Sequence, residues 1–590
     1  MTIYKNRLIA FQLQQNITKK KVNTISFARL FVGFGIVFLI YKTTAYQSSI
    51  FAICVFLLFL FFFYLVKIHS KTNNEKKYLD ALISINRNEI DFLENQKNVF
   101  ENGSEFIDVQ HFYTFDLDVF GTNSVFQHFN RTKTFVGKQR LAELFSNILQ
   151  KNDILEQQKS VNELADKLDF RQDFTANAIN ADDSEKTYKR LMLWTTAKTA
   201  SISKPIVIWS FLSPMFFLGL LVAYYFTENN TLLSYLSTIF IINMSILGLY
   251  YKKIAIEIQY ISEMVTTIKN YSIIIQNIEN QNFESKKLKD LKAILFSEKS
   301  KASADLEKLS KIFGNMDTIN NLVTTLLFNG TFLFHLHILN QLSNWKKNHV
   351  AQLKNWLDVI SEFETVISLS NFSYNNPSFV FPELNNDFEI SFENLVHPLL
   401  QKKVPVGNSI NFSNQSFFIL TGSNMSGKST FLRSLGLNMV LAGIGSVVCA
   451  TKATLQPMPI LVAMRSSDSI AENESYFYAE IKRLKKIIDY IENQKCFVLL
   501  DEILRGTNSD DKQSGTIAVI EKMISKSTIG VIATHDIEVC LTTNKYPKIL
   551  ENKCFEAQII KNDLHFDYQL RDGICKNKSA TFLMKKLDII

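Results

Sequence analysis

Two uninterrupted apolar stretches near the N-terminus restrict this chain more than any other feature. Ile25 to Tyr41 is apolar apart from Arg29, and Ile50 to Val66 reads IFAICVFLLFLFFFYLV. Each approaches the roughly 20 residues that a bilayer core requires, a setting in which backbone N–H and C=O groups must be paired within the segment. Together they predict a transmembrane helical hairpin. A cleaved signal peptide is the rival, disfavoured by two long runs without a small-residue cleavage site. A second pair, Pro205 to Phe226 and Leu232 to Tyr251, is joined by Thr227-Glu228-Asn229-Asn230 and predicts a second hairpin. Lys5, Arg7, Lys19, Lys20 and Lys21 precede the first pair, and Lys67, Lys71, Lys76 and Lys77 follow it. Lys198 and Lys204 lead into the second pair, and Lys252 and Lys253 close it. Positive charge stays on the cytoplasmic side. The expectation is a multi-pass protein of the cytoplasmic (inner) membrane, with only two short loops outside.

At 590 residues the chain is too long for a single core, so several packed domains are expected. A formal charge of +8 suits nucleic acid or an anionic membrane surface and requires neither. The six cysteines, Cys54, Cys449, Cys496, Cys540, Cys554 and Cys575, have no CxxC spacing, so they read as free thiols in a reducing compartment and define no metal site. Tyr260 to Phe313 is Lys/Glu-rich and free of proline and glycine, as in long exposed helices. Asn371 to Asn386, rich in Asn, Pro and aromatic residues, marks a boundary before a strand-helix-strand pattern.

Beyond that boundary the apolar strand Phe417-Phe418-Ile419-Leu420 runs into Gly422-Ser423-Asn424-Met425-Ser426-Gly427-Lys428-Ser429-Thr430 and then a helical stretch from Phe431 to Met439. This is the GxxxxGK[ST] phosphate loop in its meaningful context of strand, loop and helix. Gly422 and Gly427 let backbone N–H groups wrap a phosphate at a helix N-terminus, Lys428 reaches the β- and γ-phosphates, and Ser429 offers its hydroxyl to Mg²⁺. The implied cofactors are ATP and Mg²⁺. A second apolar strand, Cys496 to Leu500, ends in Asp501-Glu502, where the first acid is placed to hold the metal and the second to orient and deprotonate the attacking water. A third, Ile529 to Ala533, ends in Thr534-His535-Asp536 and brings His535 near the γ-phosphate. The apolar run Leu322 to Leu339 carries Asn329, His335 and His337. As a fifth span it would put this loop outside the cell, away from ATP, so it is expected to be a buried core helix.

The set TGSNMSGKST, LLDEILRGTNSDD and ATHD closely resembles the ATPase domain of the MutS mismatch-repair family. Ser423 and Ser426 stand where that family usually has proline and glycine. Asn130-Arg131-Thr132-Lys133-Thr134 with Gly137, Arg140 and Leu141 resembles the start of the family's core, and Leu357 to Leu369 its returning lever helix. Val396-His397-Pro398 resembles the segment that opens the ATPase domain, and Tyr568 to Met584 its closing motif. The resemblance implies a homodimer whose ATP sites are completed in trans. It makes Ser475, in Ala471 to Phe477, the candidate that reaches across, with an ordinary helix N-cap as the other reading. It turns Arg505-Gly506-Thr507 towards the partner.

The expected organisation is therefore multidomain. Residues 1–68 form a basic segment and transmembrane hairpin, 69–370 an all-α core and lever interrupted by the second hairpin at 205–251, and 371–590 an α/β P-loop NTPase domain. The family's mismatch-recognition and connector domains do not fit in the roughly 110 residues before the core. No clamp of β pattern is visible, and the chain stops near where the family carries a helical dimerisation element. Two readings remain open: a membrane-anchored MutS-like ATPase that associates with DNA, and a DNA-independent membrane mechanoenzyme or scaffold driven by ATP. An ABC transporter is disfavoured because no LSGGQ-type signature is found.

Overall fold

The computed structural model describes residues 2–46, 48–95, 97–198, 201–261, 263–298, 300–400, 406–412, 417–465, 476–560, 563–575, 584 and 589. The first hairpin is formed by Thr2–Tyr46 and Ser49–Leu93, each an unbroken helix of 45 residues. At 1.5 Å per residue each is about 68 Å long, more than twice a bilayer core. The sequence boundary at 68 thus falls inside a helix that continues to Leu93. Its apolar part is exposed, whereas Leu79, Leu82, Asn86, Glu89 and Phe92 in its polar part are buried.

Leu82 packs on Ala176 and Asn86 bonds Gln172 on helix Leu168–Asn180, Phe92 meets Phe100 edge-on, and Glu89 reaches the end of a long lever helix, Phe334–Asn375. The Tyr4 hydroxyl donates to Asn375 Oδ1 at 2.9 Å, and Glu89 accepts from Asn371 Nδ2 at 3.0 Å and Asn375 Nδ2 at 3.2 Å. Arg131 Nε meets Glu89 Oε1 at 2.5 Å, and Arg7 meets Asp169 at 2.5 Å. A buried charge costs several kcal/mol unless paired, so this knot fixes the hairpin base against the core.

The second hairpin comprises Lys204–Thr227 and Asn230–Ile261. Proline at its start replaces a donor that a helix N-terminus leaves unpaired anyway. All four hairpin helices are long and apolar enough to cross a membrane by length and composition.

The run Leu322 to Leu339 departs from the buried core helix expected of it. It breaks into Leu322–Thr324, a π-helical turn Thr325–Asn329 and Gly330–Phe332 before Leu333, at φ 49°, restarts the chain as the lever helix. Asn329 Oδ1 accepts the His335 N–H at 2.9 Å and so takes the place of a helical carbonyl. Val323, Leu327, Phe328 and Phe332 face outward, while Leu336, Ile338 and Leu339 are buried. Periodicity reports apolarity but not where a side chain interrupts the ladder.

The two core motifs read from sequence meet at Glu364 of the lever. Its carboxylate accepts Lys133 N at 2.6 Å, Thr134 N at 3.1 Å and the Thr134 hydroxyl, at the start of helix Phe135–Ser146. Gly137 completes the fit, because a Cβ there would lie 1.8 Å from Glu364 Oε2.

The C-terminal part holds two sheets. One, ordered β1-β5-β2-β3, comprises β1 (Glu383–Leu384), β2 (Ser391–Leu395), β3 (Asn408–Asn411) and β5 (Lys452–Leu455). The other comprises β4 (Phe417–Gly422), β6 (Ile460–Ala463), β7 (Phe497–Asp501), β8 (Ile529–Ala533), β9 (Leu550–Ile560) and β10 (Asp563–Asp572), in the order β10-β9-β4-β8-β7-β6. All its neighbours are parallel except β9 and β10. Continuous apolar runs in β4, β7 and β8 follow from helices covering both faces. Gly530 lets β8 approach β7, since a Cβ there would lie 2.0 Å from the Val498 carbonyl oxygen.

Replacing Gly137 by Ala should push Glu364 off its donors and destabilise the detergent-solubilised protein by about 2 kcal/mol or more. Denaturant unfolding monitored by tryptophan fluorescence checks this, and an unchanged midpoint would contradict the cap.

Candidate functional site

Parallel strands deliver their last residues to one edge of the sheet, and ligands bind in the crevice outside that edge. Leu420 of β4 lies opposite Ala533 of β8, and Asp501 of β7 opposite the same Ala533. The loop after β4, the acids after β7 and the histidine after β8 are therefore neighbours by register alone. Thr534 N donates to Leu420 O at 3.0 Å and Glu502 N to Ala533 O at 3.0 Å, which pins the three strand ends together.

Gly422 ends β4, and a Cβ on it would come within 2.6 Å of Ser426 Oγ and 2.8 Å of the Phe555 carbonyl. Ser423, Asn424, Met425 and Ser426 make the loop, Gly427 at φ 105° caps the helix Lys428–Gly443, and Lys428, Ser429 and Thr430 form its first turn. Met425 and Asn424 are exposed, whereas Ser423, Ser426 and Lys428 are buried. Lys428 Nζ donates to Gly422 O at 2.9 Å and Ser423 O at 3.3 Å, curling over the loop. Burial lowers its pKa, opposed by Glu502 and Asp501.

Ser429 Oγ donates to Asp501 Oδ2 at 2.6 Å. Two oxygens at that separation are a ready ligand pair for a hard cation such as Mg²⁺. Ser423 Oγ, Ser426 Oγ and Asp501 Oδ1 are buried without a hydrogen-bond partner among the described residues. Orphaned polar atoms are costly, and a phosphate with its metal would satisfy all three. The residues therefore fit a Mg²⁺–nucleotide.

Glu502, at φ 47°, occupies the left-handed region, a strained setting for a residue with a side chain. Its Oε1 lies 2.7 Å from His535 Nε2 and its Oε2 lies 3.4 Å from Arg505 Nε. The hydrogen bond from His535 is the main reason its carboxyl is held down at about 2, with the charges of His535, Arg505 and Lys428 acting the same way. The proton on Nε2 serves Glu502, so Lys428 Nζ, 3.2 Å from the same nitrogen, is a neighbour rather than a donor to it. Arg505 bends back onto Glu502 O at 2.9 Å. Ser475 lies outside the described residues.

Sequence reasoning did not place the apolar wall of this site. A cavity of about 640 Å³ above the loop is also lined by Leu395, Val396, His397, Val406, Phe555 and Tyr568. Such an apolar and aromatic wall suits a planar base. Burial holds His397 neutral, with its pKa down at about 4. Tyr568 stands against Gly427, where a Cβ would lie 3.2 Å from its ring. Val396-His397 and Tyr568 stood in segments noticed only for their resemblance, and no local pattern says that β2 and β10 reach the same cavity.

Residues 418–586 match the model of MutS domain V. The matching family is MutS. The chain is 31% identical over 256 residues to MutS protein homolog 4 of Homo sapiens, covering 42% of this chain and 25% of that protein. It is 32% identical over 208 residues to the DNA mismatch repair protein MutS of Clostridium perfringens, or 34% of this chain and 23% of that one. Against MutS of Thermotoga neapolitana the figures are 36% over 159 residues, 27% and 20%. The chain thus spans about a quarter of the length of these curated relatives, and MutS similarity supports ATPase chemistry in general terms.

Asp501→Asn should separate the metal from the nucleotide. In the parent protein, Mg²⁺ added with a non-hydrolysable ATP analogue at a hundred times its Kd should stabilise by about 2.7 kcal/mol. In the variant the analogue alone should still raise the melting temperature and the further increment from Mg²⁺ should vanish, as read by differential scanning fluorimetry.

Proposed function

We propose that this protein is a membrane-anchored ATPase of MutS type that hydrolyses ATP to ADP and phosphate and uses the cycle to move the elements holding its two hairpins. The observation that carries the reading is the convergence of Lys428, the Ser429–Asp501 pair and the Glu502–His535 pair at one sheet edge. Bound Mg²⁺ would be held by Ser429 and Asp501 and would neutralise charge developing on the phosphates. Lys428, held on its loop carbonyls, would reach the phosphates. A carboxylate held near 2 is a weak base. Glu502 therefore acts chiefly by orienting the attacking water, which suffices where the transition state is loose, and His535 holds it in place.

The readout runs through contacts to the core. Glu480 accepts the Leu504 N–H at 2.6 Å beside the catalytic turn, and one helical turn on, Arg483 Nη2 reaches Asp116 at 3.0 Å and the His111 carbonyl at 2.6 Å. Asp116 also accepts Met464 N and Arg465 N, both at 2.8 Å. The lever then meets the second hairpin at one end and the first at the other. As a MutS-type ATPase it is expected to work as a homodimer with Ser475 contributed in trans.

Of the two readings left open, the one with DNA needs lysines that can reach phosphates. Several lysines between residues 286 and 354 are engaged: Lys287 with Glu362 at 2.7 Å, Lys292 with the Gln281 carbonyl at 2.7 Å, and Lys346 buried against the Trp194 and Ala197 carbonyls. Lys286, Lys289, Lys308, Lys347 and Lys354 remain exposed, enough for salt-sensitive, sequence-independent contact.

Steady-state turnover and nucleotide binding test the reading together. Lys428→Ala should weaken ATP binding at least tenfold, about 1.4 kcal/mol, and abolish turnover, whereas Glu502→Gln should bind ATP normally and turn over about a hundredfold more slowly. Equal loss of binding in both would contradict the roles. Addition of duplex DNA at physiological salt should leave the rate unchanged, and strong stimulation would favour the DNA-associated reading.

The lysine clusters set the orientation. Single cysteines at Ser48 and Asn229 should react with an impermeant thiol reagent in intact cells, and one at Ser104 should not. Labelling at Ser104 would overturn the four-span arrangement.

A further inference from the structure

No Asp, Glu, Lys or Arg occurs from Thr318 to Trp345, although the stretch follows the charged helix Ala302–Asp317 and leads into the lever. Its interrupted part packs beside the second hairpin, and the depth of that contact can be counted along the hairpin. Asn243 Nδ2 donates to the Gly330 carbonyl at 2.9 Å, and a Cβ on Gly330 would lie 2.0 Å from the Phe240 ring. Asn243 and Phe240 precede Tyr251, the end of the apolar run, by 8 and 11 residues. At 1.5 Å per residue these are about 12 Å and 16 Å up the helix, near the middle of a core about 30 Å thick. The other strand of the hairpin agrees: Ser213, bonded to Asn243 at 2.7 Å, lies 9 residues beyond Lys204. His337 Nε2 meets the Ser210 carbonyl at 2.8 Å.

We infer that residues 321–333 form a re-entrant element that dips from the cytoplasmic side into the bilayer beside the second hairpin, its exposed apolar face covered by lipid acyl chains. The inference rests on the membrane reading of the hairpins. Three observations support it together. Val323, Leu326, Leu327, Phe328 and Phe332 are 40–64% exposed and continue the apolar surface of the hairpin without a charge between them. Irregular backbone at membrane depth is tolerated where its polar groups are satisfied by protein, and here the Gly330 carbonyl is taken by Asn243 and the His335 N–H by Asn329. Two strongly polar side chains at the break are turned inward: Asn329 and, just beyond the segment, His335 are fully buried, and His335 Nε2 lies 3.2 Å from Thr318 Oγ1. The lever helix thereby begins inside the membrane.

The test places a bimane label on single cysteines of the full-length protein, in a background with the native cysteines replaced, reconstituted in phosphatidylcholine–phosphatidylglycerol vesicles. Lipids brominated along the acyl chain act as quenchers. Labels at Leu327 and Phe328 should be quenched as strongly as one at Leu218 in the second hairpin, and one at Lys289 should not. Quenching at Leu218 without quenching at Leu327 and Phe328 overturns the re-entrant element alone. Absence of quenching at Leu218 overturns the membrane reading itself. Disulfide formation between copies at Phe328, together with loss of quenching there, would overturn lipid as the occupant in favour of a second copy. Asn243→Leu, which removes the anchor, should reduce quenching at Phe328 at least twofold and leave Leu218 unchanged.

Discussion

The carboxylate of Glu364, closed off from water, decides how the rest of the helical part is assembled. It lies on a helix of 42 residues and takes three donors from residues 133 and 134, more than two hundred positions earlier in the chain. Burial pushes its carboxyl up to about 7 against the pull of those donors. A group that costs this much to bury admits one docking geometry. With the lever fixed there, its start is carried to the second hairpin and its end to the knot of Tyr4, Glu89 and Arg131, so both hairpins and the core share one frame.

The same economy of placement governs the nucleotide site. Nothing in the glycine-rich loop alone orders chemistry; the register of three parallel strands does, by putting Leu420, Asp501 and Ala533 level. The Glu502–His535 pair then holds a strained residue in position before any ligand arrives, which reduces the reorganisation left for the reaction itself.

Much of this was legible in the sequence because the signals are local. A phosphate loop declares its strand, turn and helix within fifteen residues, and acids at the ends of apolar strands can be assigned without knowing the sheet order. Apolar runs announce helices of membrane length for the same reason. What escaped reading was set by distant partners. That the first hairpin continues to Leu93 depends on surfaces of the lever and of helix Leu168–Asn180, and the break at Leu333 depends on one asparagine side chain replacing a backbone acceptor. Nothing local in the sequence shows that Lys287 and Lys292 have acceptors in Glu362 and the Gln281 carbonyl. The wall of the nucleotide cavity combines the end of β2 with β9 and β10, which lie far beyond it in sequence.

The length of the first hairpin has a mechanical consequence. From Tyr4 to Ile25 its polar part rises about 32 Å, and the lever covers about 51 Å between its anchor at Asn371 and His337, which meets Ser210 of the second hairpin. Two posts pinned to opposite ends of one strut make a truss. Its apolar tops differ in length, 17 residues in each arm of the first hairpin against 22 and 20 in the second. On the membrane reading proposed above, a bilayer of one thickness cannot suit both equally, and the misfit, about a fraction of a kcal/mol for each ångström, would be borne as a bending load by the strut. Membrane thickness would then act on this protein as a force.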